Sequence, residues 1–315
     1  MFLWIILGTV AFLIVAVLVT SLICFFRIFY ANRKKDAKNK EEYPIPEGEI
    51  YLPHKENMVA WMKQVREAPH TVVSITSYDG IVLRGRYYEH KKGAPIELMM
   101  HGYRGESERD LSGGVLRAER VGHNALLVDH RAAGKSDGSV ITFGIKESRD
   151  CIEWVNFIVD NIDKDAKIIL TGVSMGAATV MIAASKELPR NVIGVLADCG
   201  YTSAKAIIKK VIGEMSLPAN LLYPFVRLGG MLFGGFDVDS ESPIESMKHS
   251  RLPVIFFHGD DDAFVPHSMS VENYEACITD KKLVTIEGAG HGLAFPINQE
   301  KYITELKSFF EPYEQ

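Results

Sequence analysis

Three residues in the second half of the chain have the types and the order that acyl-transfer chemistry requires. Ser174 lies within the sequence GVSMG at positions 172–176, and Asp262 and His291 follow later apolar runs. A serine hydroxyl becomes a good nucleophile when a histidine accepts its proton and a carboxylate holds that histidine in the required tautomer. The chain order serine, aspartate, histidine accompanies a serine placed on a strand-turn-helix elbow. We therefore expect a nucleophile, an orienting acid and a general base.

The elements expected around Ser174 are a strand, a sharp turn and a helix. An apolar run at 168–170 precedes the turn, and small residues at 177–184 follow it. Gly172 and Gly176 allow these elements to pass close to the turn, and a Cβ at either position is expected to clash. The same five-residue pattern also occurs by chance in ordinary βα turns, so the assignment depends on the rest of the chain.

Polar segments follow the predicted strands, where ligands bind in open α/β sheets. These segments are His101-Gly102, 129–131, Ser174, Asp198, Asp262 and His291. Asp198 is the alternative to Asp262 as the acid. The aspartates at 260–262 offer a metal-loop alternative, but they lack the alternating spacing and the later glutamate of a calcium loop.

The order of predicted elements indicates an α/β protein with a mostly parallel sheet of about eight strands and helices on both faces. Strands are expected at 71–76, 81–88, 97–100, 125–128, 167–173, 192–197, 253–257 and 283–286. Asp79-Gly80 predicts a hairpin turn between the first two. Helices are expected at 57–67, 111–120, 145–161 and 299–310, the second of them interrupted early by Gly113-Gly114.

Residues 202–249, hereafter the cap segment, are too long for an ordinary crossover between strands. The cap segment is rich in Leu, Met, Phe and Gly, and Pro218 and Pro224 are expected to interrupt its helices. This composition predicts that the cap segment forms a small helical cap inserted in the α/β domain. Its early part is expected to cover Ser174, with Leu221 and Phe225 lining an acyl-binding pocket; packing on the core is the alternative.

The N-terminal run from Met1 to Phe26 contains no charged residue. As a helix rising about 1.5 Å per residue, it is long enough to cross a hydrocarbon core of ~30 Å. A cleaved signal peptide is the alternative, but such a peptide normally has a basic start and a small-residue cleavage site. We expect a single-pass membrane anchor over residues 1–30.

Basic residues follow this run, namely Arg27, Arg33, Lys34, Lys35, Lys38 and Lys40. The positive-inside bias therefore predicts that the rest of the protein faces the cytoplasm. Residues 31–50, polar and interrupted by prolines, are expected to form a juxtamembrane linker, and residues 51–315 the α/β domain.

Composition narrows the classes of function. The chain has 315 residues, 47% of them apolar, a net charge of −5 and four cysteines without a disulfide or C-x-x-C pattern. No basic face indicates nucleic acid binding. The tripeptide at 134–136, Gly-Lys-Ser, lacks the first glycine of a phosphate loop because Asp129 stands there, which argues against nucleotide binding.

The chain resembles the α/β-hydrolase superfamily, in its esterase and lipase branch, from about Thr71 to the C-terminus. The resemblance rests on G-x-S-x-G at 172–176, H-G-x-x-D-x-x-V-P at 258–266 and G-H-G at 290–292. It implies that Asp262 is the acid and that the backbone N–H groups of Tyr103 and Met175 form an oxyanion hole. One departure is Ala132, where relatives often have glycine.

The expected function is hydrolysis of a carboxylic ester, lipid-like or otherwise acylated, by Ser174, Asp262 and His291. No cofactor or metal is required. A thioesterase, an amidase or peptidase, and an acyltransferase would use the same triad, and a non-catalytic binding protein of the same fold is the alternative from another class. The sequence makes no prediction of oligomeric state.

Overall fold

One eight-stranded sheet organises the computed structural model, which describes residues 1–31 and 41–314. Its strands are β1 (Thr71–Thr76), β2 (Val82–Tyr88), β3 (Ile96–Met100), β4 (Asn124–Val128), β5 (Ile168–Val173), β6 (Val192–Asp198), β7 (Val254–Gly259) and β8 (Lys281–Ile286). The order across the sheet is β1-β2-β4-β3-β5-β6-β7-β8. Strands β1 and β2 form the predicted antiparallel hairpin and β2 pairs antiparallel with β4, whereas the other pairs are parallel. The predicted sheet is confirmed.

Helices cover both faces of the sheet, as expected. The helices are α1 (Phe2–Ile28), α2 (Lys55–Glu67), α3 (Ser107–Val121), α4 (Ile145–Phe157), α5 (Met175–Ala183), α6 (Ala204–Glu214), α7 (Ala219–Gly229), α8 (Pro243–Met247), α9 (His267–Ala276), α10 (Ala294–Ile297) and α11 (Gln299–Phe310). Leu98 and Leu126 pack in one buried cluster with Trp154 of α4. Met99 and Leu127 face the opposite side. Alternate residues of β3 and β4 are thus buried on both faces, which is why these strands are continuously apolar.

The predicted interruption of the helix at 111–120 is wrong. Helix α3 runs without a break through Gly113 and Gly114. A Cβ at Gly113 would lie 2.9 Å from the Trp61 ring, and one at Gly114 would lie 3.2 Å from the sulfur of Met99. These glycines allow α3 to pack closely on α2 and on the sheet.

The cap segment forms three helices, α6, α7 and α8, with a π-helical turn at Gly230–Gly234 after α7. Pro218 precedes α7, but Pro224 lies inside it, so the interruption expected there is wrong. Its neighbours Tyr223 and Val226 are buried, and this packing compensates for the lost backbone hydrogen bond. Leu221 is 65% exposed and does not line a pocket as expected.

Helix α1 is apolar and long enough to cross a membrane. Residues 1–19 are exposed, whereas Ser21, Phe25 and Phe29 are buried on the body of the protein. A Cβ on Gly229 of α7 would lie 2.4 Å from the carbonyl oxygen of Ser21, so the two helices are in close contact. The chain after α1 pairs with the segment before α4. The amide of Ile141 donates to the carbonyl of Phe29, and the amide of Ala31 donates to the carbonyl of Ser139.

The predicted division into an anchor (1–30), a linker (31–50) and an α/β domain (51–315) stays a prediction. Much of the linker, with the basic residues at 33–40, lies outside the described residues. The contacts of residues 21–31 with the body were not anticipated from the sequence.

Candidate active site

Ser174 lies at the tip of the sharp turn between β5 and α5. Its backbone has φ 57° and ψ −116°, a conformation that non-glycine residues rarely adopt. A Cβ on Gly172 would lie 2.2 Å from the carbonyl of Gly176, and one on Gly176 would lie 2.0 Å from the carbonyl oxygen of Met100. The expected clashes are confirmed. Strand β5, the turn and α5 therefore approach one another as closely as a strained nucleophile elbow requires.

Ser174, His291 and Asp262 form one chain of hydrogen bonds. His291 Nδ1 lies 2.7 Å from Asp262 Oδ2, and His291 Nε2 lies 2.9 Å from Ser174 Oγ. Because a carboxylate only accepts, Nδ1 carries the proton and donates a hydrogen bond to Asp262, which leaves Nε2 free to accept from the serine hydroxyl. This arrangement can activate the hydroxyl as a nucleophile.

The loop after β7 holds the Asp262 carboxylate in place. Its Oδ1 accepts hydrogen bonds from the amides of Phe264 and Val265, at 2.9 and 2.8 Å. Burial alone would raise the pKa of Asp262, but hydrogen bonds from His258 and His291 outweigh burial and hold that pKa well below its ordinary value. Asp262 is therefore ionised at neutral pH and can stabilise a charged His291.

His258 was not singled out as a site residue from the sequence. Its Nε2 donates to Asp262 Oδ2 at 3.1 Å and to the carbonyl of Val265 at 2.9 Å. Because both partners of Nε2 only accept, Nε2 carries the proton, and Nδ1 accepts from the hydroxyl of Ser270 at 2.6 Å. The signal was present in the sequence, because His258 is the first residue of the motif that contains Asp262.

Asp198 ends β6 but does not contact His291. Its Oδ2 accepts a hydrogen bond from the hydroxyl of Tyr302 at 2.9 Å, and burial raises its pKa. Of the two carboxylates considered for the acid, only Asp262 is hydrogen-bonded to the imidazole.

The loop after β3 runs beside Ser174. A Cβ on Gly102 would lie 3.6 Å from the Cβ of Ser174, and the Gly102 amide donates to Asp110 Oδ2 at 3.1 Å. The amides of Tyr103 and Met175 contact no acceptor within the described part of the chain. Two free N–H groups next to a nucleophile are the arrangement that stabilises a developing oxyanion.

Helix α1 contacts this loop directly. The hydroxyl of Tyr103 donates to the carbonyl of Ile28 at 2.6 Å. Arg104, with φ 52°, donates to the Tyr103 hydroxyl and to the carbonyl of Arg27, each at 2.9 Å. The last turn of the apolar helix thus supports the loop that carries the Tyr103 amide.

Helix α6 of the cap segment borders the site. Ile207 of α6 packs in the same buried cluster as Met175, which follows Ser174, and Val265, whose amide donates to Asp262. Lys210 Nζ donates to the carbonyl of Ala263, directly after Asp262, at 2.7 Å. The earlier part of the cap segment is therefore the part next to the site.

The polar residues after β4 lie at the same edge of the sheet, but their side chains bind other parts of the fold. Asp129 accepts hydrogen bonds from the amides of Ser107 and Lys135, at 3.0 and 2.8 Å. Arg131 forms an ion pair with Asp150 at 2.7 Å. Ala132 has φ 63°, a left-handed conformation that favours glycine.

One group of possible metal ligands occurs among the described residues: the donor atoms of Cys199, Asp262 and His291 lie within 4.8 Å of one another. Burial raises the pKa of the Cys199 thiol well above its ordinary value, which disfavours the thiolate that a metal requires. Asp262 and His291 are already hydrogen-bonded to each other. These groups fit a proton-transfer site better than a metal site.

The chain is similar in sequence to a bacterial protein and similar in fold to solved structures. No family model matches the chain. YqkD of Bacillus subtilis is 27% identical over 192 residues, which cover 61% of this chain and 63%, less than two thirds, of that protein. The esterase Pf2001 of Pyrococcus furiosus has a TM-score of 0.66 and 21% identity, over 86% of this chain and 97% of its own.

The α/β-hydrolase GrgF of a Penicillium species has a TM-score of 0.62 and 18% identity, over 78% of this chain and 99% of its own. This chain has the α/β-hydrolase fold. At these identities the solved structures show the fold alone. Within the α/β-hydrolase fold, the elbow at Ser174 and the loops of Asp262 and His291 all lie at the carboxyl edge of the sheet, where this architecture places its ligands.

Proposed function

We propose that the protein is a serine hydrolase that cleaves carboxylic esters through an acyl-enzyme. The observation that carries the proposal is the hydrogen-bonded chain from Ser174 Oγ to His291 and on to Asp262, at 2.9 and 2.7 Å. The likeness in fold to the esterase Pf2001 supports it.

In the first half of the reaction, Ser174 Oγ attacks the ester carbonyl carbon and its proton passes to His291 Nε2. Asp262 stabilises the resulting imidazolium and keeps it oriented. The carbonyl oxygen becomes an oxyanion that accepts hydrogen bonds from the amides of Tyr103 and Met175. The intermediate then collapses, and His291 Nε2 returns the proton to the departing alcohol.

In the second half, water attacks the acyl group on Ser174 while His291 Nε2 accepts its proton. A second oxyanion forms in the same amide pair, and its collapse releases the carboxylic acid and returns the proton to Ser174. Every step uses groups of this chain and water, so the reaction needs no cofactor or metal.

The apolar surroundings of the site support a lipid-like ester as the substrate. Ile207, Ile208 and Tyr201 provide an apolar boundary next to Met175, which suits the acyl part of a lipid-like ester better than a charged group. Helix α1, as a single-pass membrane anchor, would hold the enzyme near such substrates. The basic residues at 27 and 33–40 favour a cytoplasmic location for the body of the protein.

The test compares matched substrates with the full chain in detergent. Esters, thioesters and anilides of the same acyl groups, from acetyl to palmitoyl, are assayed with the wild type and with Ser174→Ala. The proposal predicts that the ester has the highest kcat/KM and that Ser174→Ala removes this activity. A thioester or anilide preference would assign the same triad to a thioesterase or an amidase, and no turnover of any substrate would favour a non-catalytic protein.

A further inference from the structure

Helix α1 has a free part and a part that packs on the body. Residues 2–19 are exposed on all sides, and burial begins at Ser21. At 1.5 Å per residue the free part is about 27 Å long, close to the ~30 Å thickness of a bilayer's hydrocarbon core. If α1 spans a bilayer, the body of the protein begins at the point where the hydrocarbon ends.

Three consecutive apolar side chains are exposed about one helical turn further along α1, at the level of Phe25. Met231, Leu232 and Phe233, hereafter the apolar turn, are 50%, 52% and 39% exposed. They occupy the π-helical turn that follows α7, and the Phe233 ring lies 5.9 Å from the ring of Phe25 in α1. A Cβ on the next residue, Gly234, would lie 3.3 Å from the Phe25 ring, so this turn packs directly on α1.

Cations lie on the side of the apolar turn away from the free part of α1. Arg27 is exposed in the last turn of α1, and the exposed Arg104 donates to its carbonyl. From Ser21 to Arg27 the helix rises about 9 Å, which is roughly the depth of a headgroup layer. Apolar side chains at the hydrocarbon boundary with guanidinium groups beyond them match the layers of a bilayer surface.

We propose that the apolar turn inserts into the membrane that α1 spans, at the boundary between acyl chains and headgroups. The surface is continuous with α1, whose apolar side chains are exposed up to the same level. Such a second contact fixes the orientation of the body on the membrane, because α1 alone would leave it free to tilt. The proposal rests on α1 as a membrane span, given above, and does not depend on the ester chemistry.

The test places an environment-sensitive fluorophore on the full chain in phosphatidylcholine–phosphatidylglycerol vesicles. Single thiols are introduced as Leu232→Cys and Met231→Cys in a Cys24→Ala background, because the other three native cysteines are buried. Ile278→Cys is the matched control, since Ile278 is 69% exposed. Ile278 precedes the amino end of β8, whereas the candidate site lies at the carboxyl ends of the strands. Leu13→Cys, on the free part of α1, reports insertion of the helix.

The proposal predicts that fluorophores at 231, 232 and 13 are quenched several-fold more strongly by lipids brominated on their acyl chains than the one at 278. Quenching at 13 without quenching at 231 or 232 would overturn the proposal while leaving α1 as a span. No quenching at 13 would overturn both. A second copy of the chain on this surface would protect 231 and 232 from water in a concentration-dependent way without lipid quenching, which also contradicts the proposal.

Discussion

The hydroxyl of Tyr103 donates a 2.6 Å hydrogen bond to the carbonyl of Ile28 in the N-terminal apolar helix. The backbone amide of the same residue is one of the two proposed oxyanion donors. One residue thus joins the end of the helix to the proposed chemistry. Removing the helix is therefore expected to disturb the site as well as the proposed attachment to a membrane.

Tyr103→Phe removes the hydroxyl and retains the backbone amide. We expect a loss of about 2 kcal/mol of unfolding free energy, because the hydroxyl donates to Ile28 and accepts from Arg104 at about 1 kcal/mol for each hydrogen bond, and a lower kcat on short esters with little change in KM. Steady-state kinetics and thermal unfolding measure the two effects. Tyr313→Phe is the control, because it removes an exposed hydroxyl that donates to Asp280 at 2.7 Å. Equal kcat in the two variants would contradict a supporting role for the helix contact.

Two N-terminal truncations separate the free part of α1 from the part that packs. A chain beginning at Thr20 keeps Phe25 and Phe29, which are 5% and 0% exposed, and is expected to fold and to hydrolyse short esters like the full chain. A chain beginning at Asn32 lacks both. Each fully buried phenylalanine contributes about 1.5–3 kcal/mol, so this chain should be several kcal/mol less stable in chemical denaturation. Equal stability of the two would mean that the packing of residues 20–31 contributes nothing.

Asp262→Asn and Asp198→Asn compare the two candidate acids. Asparagine at 262 would donate to His291 and favour the wrong tautomer, so kcat is expected to fall by about 10⁴-fold, the loss seen when a triad aspartate is replaced in this way. Asparagine at 198 can still accept from Tyr302, so kcat should change far less. The reverse ranking in steady-state kinetics would move the acid to β6.

His123 predicts a dependence of stability on pH. Burial lowers its pKa, but hydrogen bonds to Glu314 and Glu97 outweigh burial and raise the pKa to about 9. A raised histidine pKa contributes stability that is fully present below the unfolded value of about 6.5 and is lost as pH rises through the folded value. The melting temperature should therefore fall between pH 6.5 and 9, and His123→Gln should flatten this fall. His249→Gln, at an exposed histidine, should leave it unchanged; identical profiles for both variants would contradict the assignment.

The sequence predicted the sheet and brought Asp262 into consideration as the acid because the relevant signals are local. Ser174 is marked by glycines that permit a tight turn, and Asp262 by a loop in which the amides of Phe264 and Val265 bind its own carboxylate. Such features depend on neighbours in the chain, so a short pattern is enough to identify them.

The rest could not be predicted, because it depends on contacts between distant residues. The run from Met1 to Phe26 is apolar throughout, so nothing in its pattern distinguishes the buried Phe25 from the exposed Ile23. Gly113 was interpreted as a helix breaker, whereas the approach of Trp61 explains its presence within α3. The composition of the cap segment and its start at the carboxyl edge of the sheet predict Leu221 in a pocket, but the orientation of α7 exposes this residue to solvent.

The proposed activation of Ser174 is tested by the reaction of the full chain with a fluorophosphonate, which forms a stable adduct only with an activated serine. Mass spectrometry of the digested protein locates the adduct, with heat-denatured protein and Ser174→Ala as controls. We expect one adduct, on Ser174, that both controls lack. A native chain that forms no adduct, or forms it on another serine while Ser174 stays unmodified, would show that Ser174 is not an activated nucleophile.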